Sequence, residues 1–345
     1  MTNDTNTPPT SIAPGLHAMQ IREVSAELQR VIVGQERVLE RVLVALLAGG
    51  HCLLEGVPGL GKTLTVSTLA KTLGGTFTRI QFTPDLLPSD IVGTRIYRPS
   101  TESFDVELGP VFANFVLADE INRAPAKVQS ALLEVMAERQ ISVGGTTYEL
   151  PAPFLVLATQ NPIESEGVYP LPEAQRDRFL MRIPVDYPTA AEEHDIVDRT
   201  VGHLPTPNTV LSTEDIADLQ RATSELYVDK AVQDYAIRLV LATRHPSEHG
   251  VDIEGMLSYG ASPRASIGLV AAGKALALLR GRDHVLAQDV YDIAYDVLNH
   301  RLVLSFDAVA DGVTVDDVLV EVLTTVVAPR LSSSQLVGSR SSLVG

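Results

Sequence analysis

The amino-acid sequence predicts an α/β protein: a parallel sheet flanked by helices, with hairpin insertions, followed by a helical lid domain. Three observations lead to this prediction. A glycine-rich loop joins an apolar run to a helix start at 51–63, two later apolar runs end on polar side chains at 115–120 and 154–162, and apolar residues recur with helical spacing beyond residue 190. Apolar runs that end on functional groups are typical of buried parallel strands, because the carboxyl edge of such a sheet carries the binding site.

The segments can be placed in order along the chain. Residues 1–17 are polar and rich in proline and threonine, which indicates a disordered tail. Helical periodicity starts at Ile21, inside a predicted α/β core that covers 18–188. The predicted helical lid covers 189–330, and the Ser- and Gly-rich residues 331–345 are predicted to form a flexible tail.

Two insertions in the core are predicted to be hairpins. The first pairs residues 91–97 with 104–108, and the second pairs 141–145 with 146–150 across a Gly-Gly turn. A further strand is expected at 78–82, because Thr63 and Asp119 are separated by more residues than the roughly 30 of a simple strand–helix–strand unit. The sequence leaves open whether the hairpins serve a partner or are ordinary surface features.

Composition and charge narrow the class of protein. The chain has 345 residues, 45% of them hydrophobic, which is enough for two domains with a sizeable core. A single cysteine, Cys52, excludes a disulfide framework within the chain. The amino terminus lacks the pattern of a secretory signal, and no apolar run approaches membrane-spanning length, so we expect a cytoplasmic protein without membrane insertion. The chain has 27 basic and 43 acidic residues, a net charge of −16 and no basic run. Since nucleic-acid binding depends on clustered basic residues, this charge favours protein partners over nucleic acid.

Residues Gly56 to Thr63 read GVPGLGKT, the pattern of a phosphate-binding loop. An apolar run precedes the loop and a helix is expected from Lys62, and this order suits the mechanism because helix N-terminal N–H groups bind phosphate. Lys62 is expected to reach the outer phosphates of a nucleotide, and the Thr63 hydroxyl to hold magnesium. The alternative is a glycine-rich turn that binds no ligand.

Two later strand ends carry groups that suit the same chemistry. Asp119 and Glu120 end the run FVLADE, where Asp119 is expected to hold magnesium and Glu120 to act as general base on a water molecule. Gln160 and Asn161 end the run that starts at Phe154, and an amide there can orient water. The order is therefore phosphate loop, acidic strand end, amide strand end. A solvated strand end and an ordinary Asn-Pro turn are the alternatives.

This order resembles the AAA+ ATPases, and within them the MoxR family, which is similar to the magnesium-chelatase ATPase subunit. The resemblance covers roughly residues 30–330. The runs that carry it are QFTPDLLPSDIVG (81–93), LADEINRAPAKVQSALLEVMAERQ (117–140), ATQNPIESEGVYPLPEAQRDRF (158–179) and GASPRASIGL (260–269).

The resemblance implies an ATP-driven ring, often hexameric, that acts as a chaperone-like remodeller of proteins with von Willebrand factor A domains. It also implies that the hairpins face the pore of the ring or shape its rim. ATP or ADP and Mg²⁺ are the implied cofactors. The residues implied to contact nucleotide are Val33, Gly34, Gln35, Gly56, Val57, Pro58, Gly59, Leu60, Gly61, Lys62, Thr63, Leu64, Asp119 and Arg264.

The same resemblance bears on three arginines, of which two match family positions. Arg178 matches the arginine-finger position, which completes the site of a neighbouring subunit, and Arg264 matches the sensor 2 position on the lid. Asn161 matches sensor 1. Arg176 departs from the family pattern, which leaves open whether Arg176 or Arg178 reaches the neighbour. A guanidinium suits this role because phosphoryl transfer spreads negative charge over several oxygens. Surface ion pairing or stem packing is the alternative for each arginine.

Other classes remain open from the sequence. One is an ATP-dependent switch or scaffold with little turnover, against which Glu120 argues. Another is a DNA-directed motor, which needs a basic pore hairpin or an appended DNA-binding motif, and neither is visible. A third alternative is a motor subunit like that of magnesium chelatase, which is the most similar to the favoured interpretation.

Overall fold

A computed structural model describes residues 14–100, 102–162, 167–201 and 205–329. Its centre is a sheet of five parallel strands within the first half of the chain. The strands of this half are β1 (Cys52–Glu55), β2 (Phe77–Gln81), β3 (Gly93–Arg98), β4 (Ser103–Leu108), β5 (Phe115–Asp119), β6 (Gln140–Val143), β7 (Thr146–Glu149), β8 (Leu155–Gln160) and β9 (Met181–Pro184). The predicted parallel α/β core is confirmed.

The sheet has the strand order β2-β5-β8-β1-β9. Glu55 of β1 pairs with Gln160 of β8, and Gln81 of β2 pairs with Asp119 of β5. Because all these pairings are parallel, the carboxyl ends of the strands meet at one edge. That edge brings the acidic and amide strand ends predicted from the sequence next to the phosphate loop, which follows β1.

Helices cover both faces of the sheet. Leu117 and Leu157 lie in a core formed with the amino-terminal helices and the lid, whereas Val116 and Val156 lie in a second core on the opposite face. The alternation follows from the two-residue period of a strand, and both faces are apolar because both are covered. The helices of this half are α1 (Pro14–Val31), α2 (Glu36–Leu47), α3 (Lys62–Thr72), α4 (Pro88–Val92), α5 (Ala126–Glu138) and α6 (Glu173–Arg176).

Both predicted hairpins are present. β3 and β4 pair antiparallel from Gly93 opposite Leu108, and β6 and β7 pair antiparallel around a turn at Gly144 and Gly145. The first hairpin is largely exposed, and the rings of Tyr97 and Phe104 pack on each other with centroids 5.2 Å apart.

The predicted amino-terminal tail is too long. Helix α1 already begins at Pro14, and His17 and Ala18 are buried. Proline suits the first turn of a helix, where its missing N–H has no partner to lose, and α1 packs on α3 and on the lid helix α10 defined below. Residues 1–13 and the predicted tail at 331–345 lie outside the described residues.

The second half of the chain is helical, as predicted, and short strand pairs join its helices. Its helices are α7 (Ala190–Val201), α8 (Thr213–Glu225), α9 (Lys230–Ala242), α10 (Pro263–Leu279), α11 (Ala287–Leu298), α12 (Phe306–Ala310) and α13 (Val315–Thr325). Its strands are β10 (Tyr227–Val228), β11 (Leu257–Tyr259), β12 (His284–Val285) and β13 (Val303–Leu304), which pair as β10-β12 and β11-β13. Strands of two or three residues are too short for a period-2 pattern to predict them.

His51, which precedes β1, is buried between the two sides of the core. Its Nε2 lies 3.2 Å from the carbonyl oxygen of Met136, and its Nδ1 accepts a hydrogen bond of 3.0 Å from the backbone N–H of Val156. Both ring nitrogens are thus satisfied by the neutral imidazole with its proton on Nε2. Burial lowers the pKa of His51 to about 4.

This burial predicts a loss of stability at mildly acidic pH. In the unfolded chain His51 has a pKa of about 6.5, so below that pH the unfolded state binds a proton that the native state excludes. We expect His51 to make the free energy of unfolding about 2 kcal/mol smaller at pH 5 than at pH 7. Urea unfolding at the two pH values, with His51→Gln and the exposed His194→Gln as a control, measures this difference. Equal pH dependence in wild type and His51→Gln would contradict the prediction.

Candidate active site

The phosphate loop connects β1 to α3 at the carboxyl edge of the sheet. Gly61 precedes the first turn of α3 with φ of 71°, and Gly59 has φ of 87°, so both lie in the left-handed region that favours glycine. An added Cβ at either glycine would meet no heavy atom within 4 Å, so the backbone on that side is open to a ligand. The loop therefore presents the N-terminus of an 11-residue helix to an approaching anion.

Lys62 folds back across the loop. Its Nζ donates to the carbonyl oxygens of Gly56, at 2.7 Å, and Val57, at 3.2 Å. The pKa of Lys62 is lowered, because the effect of burial exceeds the opposing effect of the nearby carboxylates of Asp119 and Glu120. The ammonium group is thus held at the loop by backbone oxygens, in a position where phosphate oxygens can replace them as partners.

Asp119 is held by two neighbours at the end of β5. Its Oδ1 accepts from the hydroxyl of Thr159 at 2.6 Å, and its Oδ2 accepts from Arg79 at 2.7 Å and 3.0 Å. The same Thr159 hydroxyl accepts a hydrogen bond from the backbone N–H of Glu120 at 2.8 Å. Thr159 is 1% exposed, so this short network fixes the carboxylate of Asp119 and the backbone of Glu120 relative to β8.

Glu120 adopts an unusual backbone conformation. Its φ is 55°, in the left-handed region that costs a non-glycine residue free energy and that is enriched at functional sites. The Oε2 atom accepts from the amide of Gln81 at 3.0 Å and lies 3.6 Å from Nε of Arg123. The turn after β5 therefore directs Glu120 away from the path of the strand, and two neighbouring side chains hold its carboxylate.

A cavity of about 440 Å³ joins these groups. It is lined by Pro58, Gly59, Gly61, Lys62, Thr63, Leu64, Arg79, Asp119, Glu120, Thr159 and Asn161. The loop, the acidic strand end and the amide strand end that the sequence predicted thus converge on one space. Its donors and acceptors suit a polyphosphate, because the lining includes an ammonium group, helix N–H groups, carboxylates and an amide.

A narrower apolar slot of about 140 Å³ adjoins this cavity and shares Gly59, Gly61 and Leu64 with it. The slot is lined by Val31, Ile32, Val33, Gln35, Gly59, Leu60, Gly61, Leu64, Thr65, Pro188, Ile196, Arg199 and Thr200. Its apolar walls suit a flat aromatic base such as adenine.

Of the three residues expected at the base, Val33 and Gln35 line this slot, and Gln35 donates to the carbonyl oxygen of Leu60 at 2.9 Å. Gly34 is not among the lining residues. It has φ of 64°, which favours glycine, and its backbone lies beside the side chain of Glu192 in α7. Gly34 therefore shapes the slot from outside it.

The structure does not bring the three predicted arginines to this cavity. Arg178 is exposed and donates to the carbonyl oxygen of Leu133 at 2.7 Å. Arg264, at the start of α10, lies 3.9 Å from Asp177, and Arg176 lies 3.6 Å from Glu173. None of the three lines the cavity, and Arg264 lies beside Asp177, the residue between Arg176 and Arg178.

Sequence patterns missed several residues of the site. Arg79, Gln81 and Thr159 contact the two carboxylates, and the slot includes Ile196 and Arg199. Arg79 and Gln81 lie within the predicted strand at 78–82, which forms the edge strand β2, and no motif in the sequence assigned them a role.

The loop at a helix N-terminus, the carboxylate pair at the end of β5 and the helical lid define a P-loop ATPase of the AAA+ class. Residues 51–181 match the family described as "ATPase family associated with various cellular activities (AAA)", and residues 252–335 match the AAA lid domain. A candidate ATPase from Cytophaga hutchinsonii, solved by crystallography, superimposes with a TM-score of 0.87 at 47% identity, covering 92% of this chain and 97% of that one.

Two relatives narrow the class. The protein named "Chaperone MoxR1" of Mycobacterium tuberculosis is 58% identical over 308 residues, which is 89% of this chain and 82% of the relative. The "Uncharacterized protein YeaC" of Bacillus subtilis is 45% identical, over 88% of this chain and 92% of the relative. The chain belongs to the MoxR family of AAA+ ATPases. This membership supports an ATPase with a chaperone-like role.

None of the helices in the described ranges is long and apolar enough to cross a membrane.

Proposed function

We propose that this chain hydrolyses ATP to ADP and phosphate with Mg²⁺, as one subunit of a ring that remodels partner proteins. The observation that carries the proposal is the convergence of Lys62, Thr63, Asp119 and Glu120 on one cavity beside an apolar slot. The polar cavity would hold the triphosphate, and the apolar slot would hold the purine base.

Thr63 and Asp119 are the residues that would hold Mg²⁺. Both supply oxygen ligands and both line the cavity. Mg²⁺ prefers oxygen ligands, and in nucleotide sites it takes few from the protein because phosphate and water supply the rest. When bound, the ion would neutralise charge on the phosphate oxygens. Lys62 would add a second positive charge on the same oxygens, and Arg79 places a third at the cavity wall.

Glu120 is the proposed general base and Asn161 its partner in orienting water. Both line the cavity, and Asn161 is 7% exposed, so its amide is held in a fixed environment. The carboxylate of Glu120 would accept a proton from the attacking water as the bond to the terminal phosphorus forms. Its contact with Gln81 holds it in place without occupying both oxygens.

The proposed site is incomplete within one chain, and this supports a ring. Arg178 and Arg264 lie together near Asp177 and line neither the phosphate cavity nor the slot. In a ring, this edge would face the cavity of the next subunit, where both arginines would contact phosphate oxygens. A homohexamer is the assembly we propose. In each chain the nucleotide-binding core would extend from the start of α1 at Pro14 to residue 188, and the lid would cover 189–330. Arg178, which is exposed, is favoured over Arg176 as the finger.

A protein with a von Willebrand factor A domain is the proposed client, in the cytoplasm. The net charge of −16 favours a protein over a nucleic acid. The exposed β3-β4 hairpin, with its aromatic pair Tyr97 and Phe104, offers a surface on which such a client could be engaged. Stimulation of ATP turnover by a purified domain of this kind would support the assignment.

Removal of the finger tests the ring. We expect Arg178→Ala to lower turnover on the order of 10³-fold, since a guanidinium on the transferring phosphoryl group contributes that much in related chemistry. Turnover of wild type should rise with protein concentration, because the site forms only on assembly. Mixing Arg178→Ala with Glu120→Gln should restore part of the rate, because each chain supplies what the other lacks.

The matched control is Arg176→Ala, two residues away in the same turn. We expect it to retain most of its turnover. A rate per subunit that is flat with concentration and unaffected by Arg178→Ala would overturn the ring mechanism and favour an ATP-dependent switch.

A further inference from the structure

The segment that carries Arg178 is fastened to the lid by one buried arginine. Arg301, which follows α11, donates from Nε to the carboxylate of Asp177 at 2.8 Å. It also donates to the carbonyl oxygens of Phe179, at 2.6 Å, and Leu180, at 3.1 Å. Its side chain is only 3% exposed. These contacts hold the residues on both sides of Arg178, which we call the finger segment (177–180).

Two further lid contacts reach the finger segment. The hydroxyl of Ser262, at the N-cap of α10, donates to Asp177 at 2.8 Å, and Nε2 of the buried His300 lies 3.1 Å from the carbonyl oxygen of Phe179. Asp177 thus receives Arg301 on one oxygen and Ser262 on the other. The finger segment is therefore tied to two lid helices at once, α10 and α11.

The chemistry of Arg301 makes this tie rigid. A guanidinium presents several N–H donors in one fixed plane, so it can hold a carboxylate and backbone carbonyls in a single arrangement. Nη1 additionally donates to the carbonyl oxygen of Val297, which anchors the same side chain to the last turn of α11. A lysine could satisfy only part of this set with its single nitrogen.

We propose that Arg301 is a positioning residue for Arg178. Because Arg301 joins the finger segment to the lid, the position of the lid determines the position of the finger segment. A movement of α11 would therefore displace the guanidinium of Arg178 that is offered to the neighbouring subunit. The inference rests on the proposed ring mechanism, and it adds a path by which the lid of one subunit controls hydrolysis in the next. None of the hydrogen-bond partners of Arg301 described above lines the phosphate cavity.

Replacement of Arg301 by lysine keeps the charge and much of the stem but loses the planar set of donors. We expect Arg301→Lys to bind a fluorescent ATP analogue as wild type does, while its turnover falls on the order of 100-fold, the effect of an approximately 1 Å misplacement. Mixing it with Glu120→Gln should raise the rate at least about tenfold, because the Glu120→Gln chains supply a correctly placed Arg178 to intact phosphate loops. A merely structural defect would reduce ATP binding as well and would not be relieved by mixing.

The control is Arg41→Lys. Arg41 is similarly buried and donates to Asp296 of α11 at 2.7 Å, but it does not contact the finger segment. It should lose comparable thermal stability with little change in turnover. If Arg301→Lys fails to fold, Asp177→Asn removes the charge from the other partner, and the same mixing experiment applies.

Two outcomes would overturn the inference: wild-type turnover in Arg301→Lys, or lost turnover that mixing does not restore although ATP binding is intact. Measuring Arg178→Ala in the same series distinguishes failure of the positioning role of Arg301 from failure of the proposed ring mechanism. If Arg178→Ala loses activity and is complemented while Arg301→Lys is not, only the positioning role of Arg301 is excluded. If neither variant behaves as expected, the shared site itself is excluded.

Discussion

Replacement of Lys62 by alanine is expected to weaken ATP binding by about 100-fold and to reduce turnover below detection. The ammonium group is the cation of the phosphate loop, and its partners in the structure are backbone carbonyl oxygens that cannot themselves bind phosphate. Loss of a charged hydrogen-bonding partner in a partly desolvated site costs about 3 kcal/mol, which corresponds to roughly two orders of magnitude in affinity. Titration with a fluorescent ATP analogue and a phosphate-release assay measure the two effects.

Lys71 provides the control for this variant. It lies in the last turn of the same helix, α3, and is exposed to solvent. Lys71→Ala should bind ATP and turn over as wild type does. Undiminished ATP affinity in Lys62→Ala would contradict the assignment of the phosphate site.

Replacement of Glu120 by glutamine should separate binding from hydrolysis. An amide oxygen can still accept the hydrogen bond from Gln81, so the geometry of the turn is retained, but an amide cannot take a proton from water. We expect ATP affinity close to wild type and turnover lower by 10²- to 10⁴-fold, the usual contribution of a general base. Single-turnover measurements with bound ATP would show a slow chemical step and a long-lived ATP complex.

Glu138→Gln, at the exposed end of α5, is the corresponding control and should leave turnover unchanged. Normal hydrolysis in Glu120→Gln would exclude Glu120 as general base. Loss of ATP binding in that variant would instead indicate that the carboxylate shapes the site.

The phosphate loop could be predicted in detail because its function depends on consecutive residues. Its glycines set the backbone, and Lys62 and Thr63 follow directly at the start of α3. The strand ends at Asp119 and Asn161 could also be predicted, since parallel strands align their carboxyl ends whatever the intervening chain does. Both groups line the cavity that the loop forms.

Other parts of the site could not be predicted, because they depend on contacts between distant segments. Arg79 and Thr159 reach Asp119 from neighbouring strands, and no spacing along the chain indicates such a pairing. The start of α1 at Pro14 was missed because its helical signal depends on burial against α3 and α10.

The sequence by itself thus determined the phosphate loop and the acidic strand end, because local backbone geometry and the period of apolar residues are properties of short segments. The runs at 81–93, 117–140, 158–179 and 260–269 carried the resemblance to the AAA+ class. The tertiary structure decided where the arginines lie. Arg264 lies beside Asp177, which directly precedes Arg178 and is held by Arg301 from another part of the chain. Neither Arg178 nor Arg264 lines the phosphate cavity of this chain. The reason is physical: the lid helices and the finger segment are joined by buried hydrogen bonds across more than 100 residues of sequence, and only folding brings such donors and acceptors together.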